Sequence, residues 1–506
     1  MASIKVGIFL AVYLFLNLIS LKVKAQYNGD SWVFGDSCGL RFNSIGIDSI
    51  FQSSMNARGS CTSVADVQGQ LLFYASTPEV SVFLSPIQEM GVVYNKNHSV
   101  MQNGLYIKTS AWYNEMVILP DPVGNNQFYL FGAGVTSTTN PGLRYSKIDL
   151  NQNGGLGAVT LKNILVQSGE INDGIIALKH GNGRDWWVFY KNWGYDTDTI
   201  KSLLITPTGV SGPYEQPIGA LLNPGFYRFA INPEGNLVAG ISMQGVLELF
   251  DFDRCTGIFS NHRIIRQVPS PPTDEMDNFW AGVFSANGRY LYVSTYNINA
   301  YLFQFDLLAP NIFASRVMLD SIDVPYTPAS ALKRGPDNRI YRAIAWSIGY
   351  PYPDSSYNAY NTHLSVINSP DSGGLACDYQ PFSVYLPNCR TYLGLPNNPD
   401  YLLNAIIGSP CDTLMVGLDE NNFEEQENLV VAPNPFNNRF KVSLKKGSFP
   451  TKVNYQVYNL QGQNVVKGIL VNQNENYIEL ENVNSGMYLI QIQLGSKVFR
   501  KKIIKE

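Results

Sequence analysis

The sequence predicts an all-β protein: a seven-bladed β-propeller closed by strands from its N- and C-terminal ends, followed by a small β-sandwich of immunoglobulin-like pattern. Three observations predict it. A turn followed by a short strand recurs seven times, at spacings of about 50 residues. Hydrophobic residues make up 45% and charged residues only 15%, with 43 Gly and 30 Tyr, a composition of many short strands and tight turns rather than long solvated helices. Behind an acidic stretch lies a last strand-rich segment of opposite charge.

The repeats come first because they decide the fold. Gly69 leads into an apolar run at 71–74, Gly124 into 128–131, Gly183 into 186–189, Gly235 into 237–240, Gly288 into 290–293 and Asn338 into 340–343. A seventh copy at Asn28-Gly29 precedes Trp32-Val33-Phe34. Each turn is polar because a tight reversal needs a residue that accepts positive φ. A third strand follows in many copies, as at 247–252 and 301–306. Residues 26–411 then divide into seven units of about 55 residues each, the size of a propeller blade. Six blades with extensions, or a solenoid of shorter repeats, are the alternatives. The Gly29 copy has no chain before it to supply an inner strand. The strand-like run at 401–407 is therefore expected to complete that blade and bury both open edges.

At the N-terminus Lys5 precedes an apolar run at 6–19, and Val23-Lys24-Ala25 places small residues before Gln26. This predicts a signal peptide (1–25) cleaved between Ala25 and Gln26. The run is shorter than the roughly 20 residues that span a bilayer, so no transmembrane anchor is expected in the mature protein. Export permits disulfides, and six Cys allow 15 full pairings. Proximity favours Cys38 with Cys61 and one pair among Cys377, Cys389 and Cys411. Cys255, alone mid-chain, reads as a buried thiol.

Residues 412–428 carry six acids and no base, a solvated linker. Residues 429–506 carry 11 Lys/Arg against 4 Glu, a net of +7. Val431-Ala432-Pro433-Asn434-Pro435-Phe436, then Val457-Tyr458-Asn459-Leu460-Gln461-Gly462, then Ser485-Gly486-Met487-Tyr488 and a basic last strand resemble the C-terminal (type A) sorting domain of Bacteroidota type IX secretion cargo. The resemblance implies passage through the type IX machinery and release or attachment at the outer surface. On it, Pro433, Asn434, Pro435, Gly462, Gly486 and Tyr488 are the sorting-signal residues. A binding module with the same strand pattern is the alternative. The large region resembles the propeller domains of such cargo at Trp32-Val33-Phe34-Gly35, at 179–187 and at Gly394-Leu395-Pro396-Asn397. That likeness implies architecture, not chemistry.

Motifs of catalysis are weak. Gly35-Asp36-Ser37-Cys38-Gly39 satisfies Gly-x-Ser-x-Gly, but a strand-like 40–42 follows where a nucleophile elbow needs a helix. No Asp stands three residues before any of the four His. The segment 149–154 starts like a calcium loop but has Thr160 where Glu belongs. His180 lies in a repeated turn. Trp186, Trp187, Trp193, Trp280 and Trp346 can stack on sugars but fall at blade-core positions. No cofactor or metal site is expected. A formal net charge of −4 gives no reason to expect nucleic acid. The leading expectation is a secreted or surface-displayed binding or scaffold protein with an unknown surface protein or glycan as ligand. Its loops would be 136–143, 193–199, 268–278 and 350–361, with Tyr350, Tyr352 and Tyr357 in the last. The alternative is a polysaccharide hydrolase or lyase using Asp274, Glu275 and Asp277.

Overall fold

The computed structural model describes residues 28–412 apart from 44, 79–90, 135–140, 195–196, 223–224, 270, 297–298, 323–328 and 347–355, and residues 429–506 apart from 445–448, 450–451, 460–463, 472–475, 482 and 495–496. Ala25, Gln26, Tyr350, Tyr352, Gly462 and linker residues 413–428 lie outside the described residues. The chain forms two compact units, divided after residue 413.

Seven antiparallel sheets build the first unit among the described residues. Blade 1 comprises Cys61–Ala65, Leu71–Ser76 and Val92–Asn95. Blade 2 comprises Met116–Pro120, Gln127–Gly134, Gly142–Asp149 and Ala158–Ser168. Blade 3 comprises Ile176–Lys179, Trp186–Tyr190, Thr197–Thr206 and Gly209–Leu222. Blade 4 comprises Tyr227–Ile231, Leu237–Ser242, Val246–Asp253 and Ile258–Gln267. Blade 5 comprises Phe279–Phe284, Tyr290–Thr295, Leu302–Asp306 and Val317–Asp320. Blade 6 comprises Ser330–Arg334, Ile340–Ile344, His363–Ile367 and Tyr379–Tyr385. Blade 7 comprises Ser31–Phe34, Asp36–Phe42 and Ile47–Asn56.

In every blade the second strand lies between first and third, and the strands run in sequence order from the axis outwards. Strands near the axis are covered on both faces and read as continuous apolar runs, as in Trp186–Tyr190, which is buried throughout. Outer strands such as Ala158–Ser168 are largely half-buried or exposed. Aromatic side chains fill the space between blades. Phe189 of blade 3, for example, meets Phe252 of blade 4 at 4.8 Å between centroids.

The repeated turns join first to second strands and share one face, here called the turn face. Gly69, Gly183, Gly235 and Gly288 hold φ of 72°, 75°, 74° and 73°, and Asn338 takes the same place at 65°. A residue with a Cβ is strained there, which is why the turn carries Gly or Asn. The links from second to third strands and from blade to blade gather on the opposite, loop face.

The seventh blade closes the ring in a different manner from the expected one. Residues 401–407 form no strand. The preceding stretch, 391–400, occupies the inner position instead. It starts at the loop face, where Thr391 Oγ1 donates to Ile344 O (2.7 Å), and rises along blade 1, where Asn397 N donates to Cys61 O (2.8 Å). It reaches the turn face at Tyr401, whose carbonyl accepts from Lys179 Nζ. Pro396 and Pro399 remove two N–H groups, so this stretch makes no regular ladder. Side chains replace it. Asn397 Nδ2 donates to Met116 O (2.9 Å) and Ile175 O (2.8 Å), and Asn398 Oδ1 accepts from Ser63 N (2.9 Å). The start and the returning end of the first unit do meet, through an antiparallel bridge between Asp36 and Arg390 and an ion pair between their side chains.

The disulfides also correct the proximity reading. Cys38 pairs with Cys389, not Cys61, and Cys255 is no lone thiol but pairs with Cys411. The reason is the ring closure. Cys38 sits on the strand that meets the returning end of the unit, whereas Cys61 opens the inner strand of blade 1. Cys61 and Cys377 are buried thiols, and burial pushes the Cys61 pKa up to about 12.

The second unit is a sandwich of two antiparallel sheets. One holds Leu429–Ala432, Arg439–Leu444 and Asn476–Glu479; the other holds Asn464–Val471, Lys452–Tyr458, Gly486–Leu494 and Lys497–Lys505. Phe440, Val442, Val457, Ile490, Ile492 and Ile503 are fully buried between them.

Candidate functional site

The blades surround a central cavity of about 550 Å³. Trp32, Arg228, Ala281, Lys333, Arg334 and Asp400 are among its lining residues. Towards the loop face its wall is a buried ionic layer. Arg228 Nη2 donates to Asp173 Oδ2 (2.5 Å) and Nη1 to Trp280 O (3.0 Å). The guanidinium lies 3.7 Å from the Trp280 ring centroid and 4.3 Å from that of Tyr113. Glu115, with no exposed surface, accepts from Trp112 N and Tyr113 N, both at 2.8 Å. Burial, and then the neighbouring Asp173, push its pKa up to about 8. Burial likewise lifts Asp173 to about 6 against the pull of Arg228.

Outside this layer, aromatic rings gather on the loop face. Phe226 is central, with ring centroids of Trp193 at 5.4 Å, Trp112 at 5.8 Å and Trp280 at 6.2 Å. Tyr296 stacks on Trp280 at 5.1 Å, and the Arg58 guanidinium covers Trp112 at 4.8 Å. Trp280 is buried, while Trp112, Trp193, Phe226 and Tyr296 keep part of their surface in water. Trp112 and Phe226 lie in the links entering blades 2 and 4, Trp280 near the start of the inner strand of blade 5, and Trp193 and Tyr296 just after the second strands of blades 3 and 5. The sequence carries the pattern as adjacent aromatic pairs at or just before the start of three inner strands: Trp112-Tyr113, Phe226-Tyr227 and Phe279-Trp280. They stand at the opposite end of the inner strands from the Gly turns that mark the repeat.

The structure separates the other residues singled out by sequence. Trp186 and Trp187 are blade core, and Trp346 is half-buried against Ala300 and Ile344. The described strands that flank 136–143, 193–199, 268–278 and 350–361 face these segments with their loop-face ends, and residues 136–140, 195–196, 270 and 350–355 lie outside the described residues. Tyr357 is 49% exposed, with the Arg390 guanidinium 4.2 Å from its ring centroid. Ser37 is the second residue of the strand Asp36–Phe42, just after the turn at Gly35, and its hydroxyl donates to Asp36 Oδ1 (3.2 Å). His180 Nδ1 accepts from Asn182 N (3.0 Å), so Nε2 carries the hydrogen that meets Cys255 O (3.0 Å). Asp149 accepts from Asn151 N (2.9 Å) and Gln152 Nε2 (3.2 Å) within its turn. The three loop acids are each engaged: Asp274 caps a short 3-10 turn, Glu275 accepts from Asn299, and Asp277 takes both arms of Arg266.

Residues 430–506 match the family described as the secretion system C-terminal sorting domain. The second unit is that sorting domain. It marks the chain as type IX secretion cargo, exported to the cell surface or beyond and handled on the way by the type IX machinery. No helix among the described residues is long and apolar enough to cross a membrane. In the sorting domain, Asn434 Nδ2 donates to Lys502 O (3.1 Å) and its Oδ1 accepts from Ile504 N (2.8 Å), fastening the Pro433-Asn434-Pro435 segment to the last strand. Tyr488 donates to Asn484 O (2.6 Å), and Gly486 opens its strand at φ 150°. Lys505 Nζ is spent on the carbonyls of Leu480, Glu481 and Val483.

A search of curated proteins finds no match to the sequence. Among solved structures, the chain is similar to two proteins with a provisional 6-phosphogluconolactonase designation. The one from Bacteroides uniformis has 12% identity and a TM-score of 0.43, over 72% of this chain and 99% of the other. The one from Bacteroides fragilis has 12% identity and a TM-score of 0.42, over 75% and 98%. AztD from Citrobacter koseri has 10% identity and a TM-score of 0.35, over 73% and 97%. Likenesses at this level carry no argument about activity.

Proposed function

We propose that this exported propeller works by binding glycans on its loop face. The observation that carries the reading is the cluster of half-exposed rings around Phe226, with Arg58 laid over Trp112. Flat aromatic faces stack on the C–H faces of sugar rings, and a neighbouring guanidinium donates to hydroxyl or acidic substituents. Tyr357, exposed in a link that joins two strands on the same face, is a further candidate contact. Display outside the cell, which the sorting domain provides, brings that face to envelope or environmental glycans. An enzyme on this scaffold draws no support from Asp274, Glu275 and Asp277, whose oxygens serve the local structure.

The test is a panel of plant, fungal and bacterial glycans probed with the mature protein. Trp112→Ala and Trp193→Ala are each expected to lower affinity about tenfold, or roughly 1.4 kcal/mol, with Tm unchanged. Absence of any glycan binding, or binding indifferent to both substitutions, overturns the reading. A surface protein bound with the same dependence would reassign the ligand to a protein.

A further inference from the structure

The turn-face end of the channel holds positive charge that the packing of the blades does not use. Lys333 and Arg334 end the inner strand of blade 6 and line the cavity. Lys333 Nζ donates to Asn398 O (3.2 Å) and lies 5.5 Å from the Trp32 ring centroid. Among the described residues no hydrogen bond or salt bridge engages the Arg334 guanidinium; Asp400 and Asp371 act on it only through space. Two interior arginines, Arg342 and Arg254, differ. Arg342 donates to Ser330, Asp320, Tyr379 and Ala300, and Arg254 donates to backbone carbonyls of four residues. A guanidinium carries five N–H donors, and a half-buried one without acceptors pays for its lost hydration unless something else supplies them.

The local carboxylates do not cancel this charge. Asp400 is exposed and lies among four cations: Lys179, Arg254, Lys333 and Arg334. Asp371 is exposed and accepts from Asn287 N (2.9 Å). Asp30, the other acid lining the cavity, accepts from Asn28 Nδ2 (2.7 Å) and lies near Arg41. Arg228, at the far end, is held by Asp173. Asn114 and Asn338 add amide groups to the lining.

We propose that the channel binds a small polyhydroxylated organic anion, a carboxylate or a phosphate, seated on Arg334 and Lys333 at its turn-face end. The volume of about 550 Å³ lies within the range of small-molecule sites. Arg334 offers a forked donor set and Lys333 a point charge at the same end of the cavity, both suited to anionic oxygens. Residues 401–411 run beside this mouth, fixed by Tyr401 Oη to Ile118 O (3.0 Å), by Ile406 N to Gly181 O (2.7 Å) and by the Cys255–Cys411 disulfide. Leu402 and Leu403 from this strap line the cavity, so access there favours a small solute over a polymer. This site is independent of the ring cluster on the loop face.

The experiment is calorimetric titration of the mature, full-length protein with three probes: digalacturonate, glucose 6-phosphate and uncharged cellobiose. At least one anion is expected to bind, with cellobiose at least tenfold weaker. Arg334→Met should weaken the anion at least tenfold, Arg334→Lys less, and Trp112→Ala not at all. Which anion binds tells carboxylate from phosphate. Circular dichroism and Tm of each variant establish that the fold is kept, and Lys333→Met serves as second variant if Arg334→Met is destabilised. Binding of neither anion, equal binding of cellobiose, or anion binding unchanged in both folded Met variants overturns the proposal.

Discussion

Glu115 is buried beside a second acid, Asp173, and accepts from the backbone N–H groups of Trp112 and Tyr113. Its carboxyl has no exposed surface, and burial followed by the nearby Asp173 raises its pKa from 4.5 to about 8. A group whose folded pKa is raised contributes stability that is complete below the unfolded value and is lost as pH rises through the folded one. Glu115 therefore favours the folded state near pH 4.5 and forfeits that advantage progressively towards pH 8. Asp173, raised to about 6, acts in the same direction over a lower window. Glu115→Gln should flatten the fall of Tm between pH 5 and 8. The slope is the readout rather than the level, because the amide can accept from only one of the N–H groups of Trp112 and Tyr113 at a time. An unchanged slope would mean that Glu115 does not titrate in this window. Nothing in the sequence marked this residue. A lone Glu in a loop-like stretch reads as solvated, and only the ring of inner strands places it beside Asp173 and Tyr113. The ring cluster is legible in part: Trp193 and Trp280 stand out in the sequence as tryptophans, but their meeting with Trp112 and Phe226 depends on contacts between different blades.

At the scale of elements, local chemistry was read well and long-range pairing less so. The Gly turns sit where their need for positive φ placed them, and the second strands after them are the buried centres of their blades. The closing element was misplaced because 401–407 has strand-like composition, whereas 391–400 carries two prolines. The ring closes on the proline-bearing stretch all the same, since its side chains supply the bonds that the backbone does not. Asn397 bears most of this load. Its amide reaches the carbonyls of Met116 and Ile175 while its own N–H meets Cys61, so a single side chain links blade 2 to the start of blade 3. Asn397→Ala leaves those carbonyls unpaired in a buried setting and is expected to cost about 1–3 kcal/mol in urea denaturation. A loss below about 0.5 kcal/mol would show that water or a shifted backbone replaces the amide.

The whole molecule depends on joining two ends of a ring. A propeller of separately folded sheets gains its last interface only when the returning end docks, and here that end is held by side chains rather than by a ladder. The Cys38–Cys389 disulfide spans a sequence separation of 351 residues across this seam, next to the Asp36–Arg390 ion pair. In the chain-entropy account a cross-link of such length removes about 6 kcal/mol of freedom from the unfolded state, and measured effects are commonly about 2–5 kcal/mol. Cys255–Cys411, with a separation of 156, fixes only the strap beyond the seam. The two bridges should therefore differ in what their loss does. The double substitution Cys38→Ser with Cys389→Ser is expected to lower the free energy of unfolding by at least about 2 kcal/mol and to raise protease sensitivity near residues 389–391. Cys255→Ser with Cys411→Ser should loosen the strap while leaving the global unfolding transition less affected. Equal losses from the two pairs would mean that the ring and its strap unfold as one unit. A negligible loss from the first would mean that Asn397, Asn398 and Arg390 close the ring by themselves.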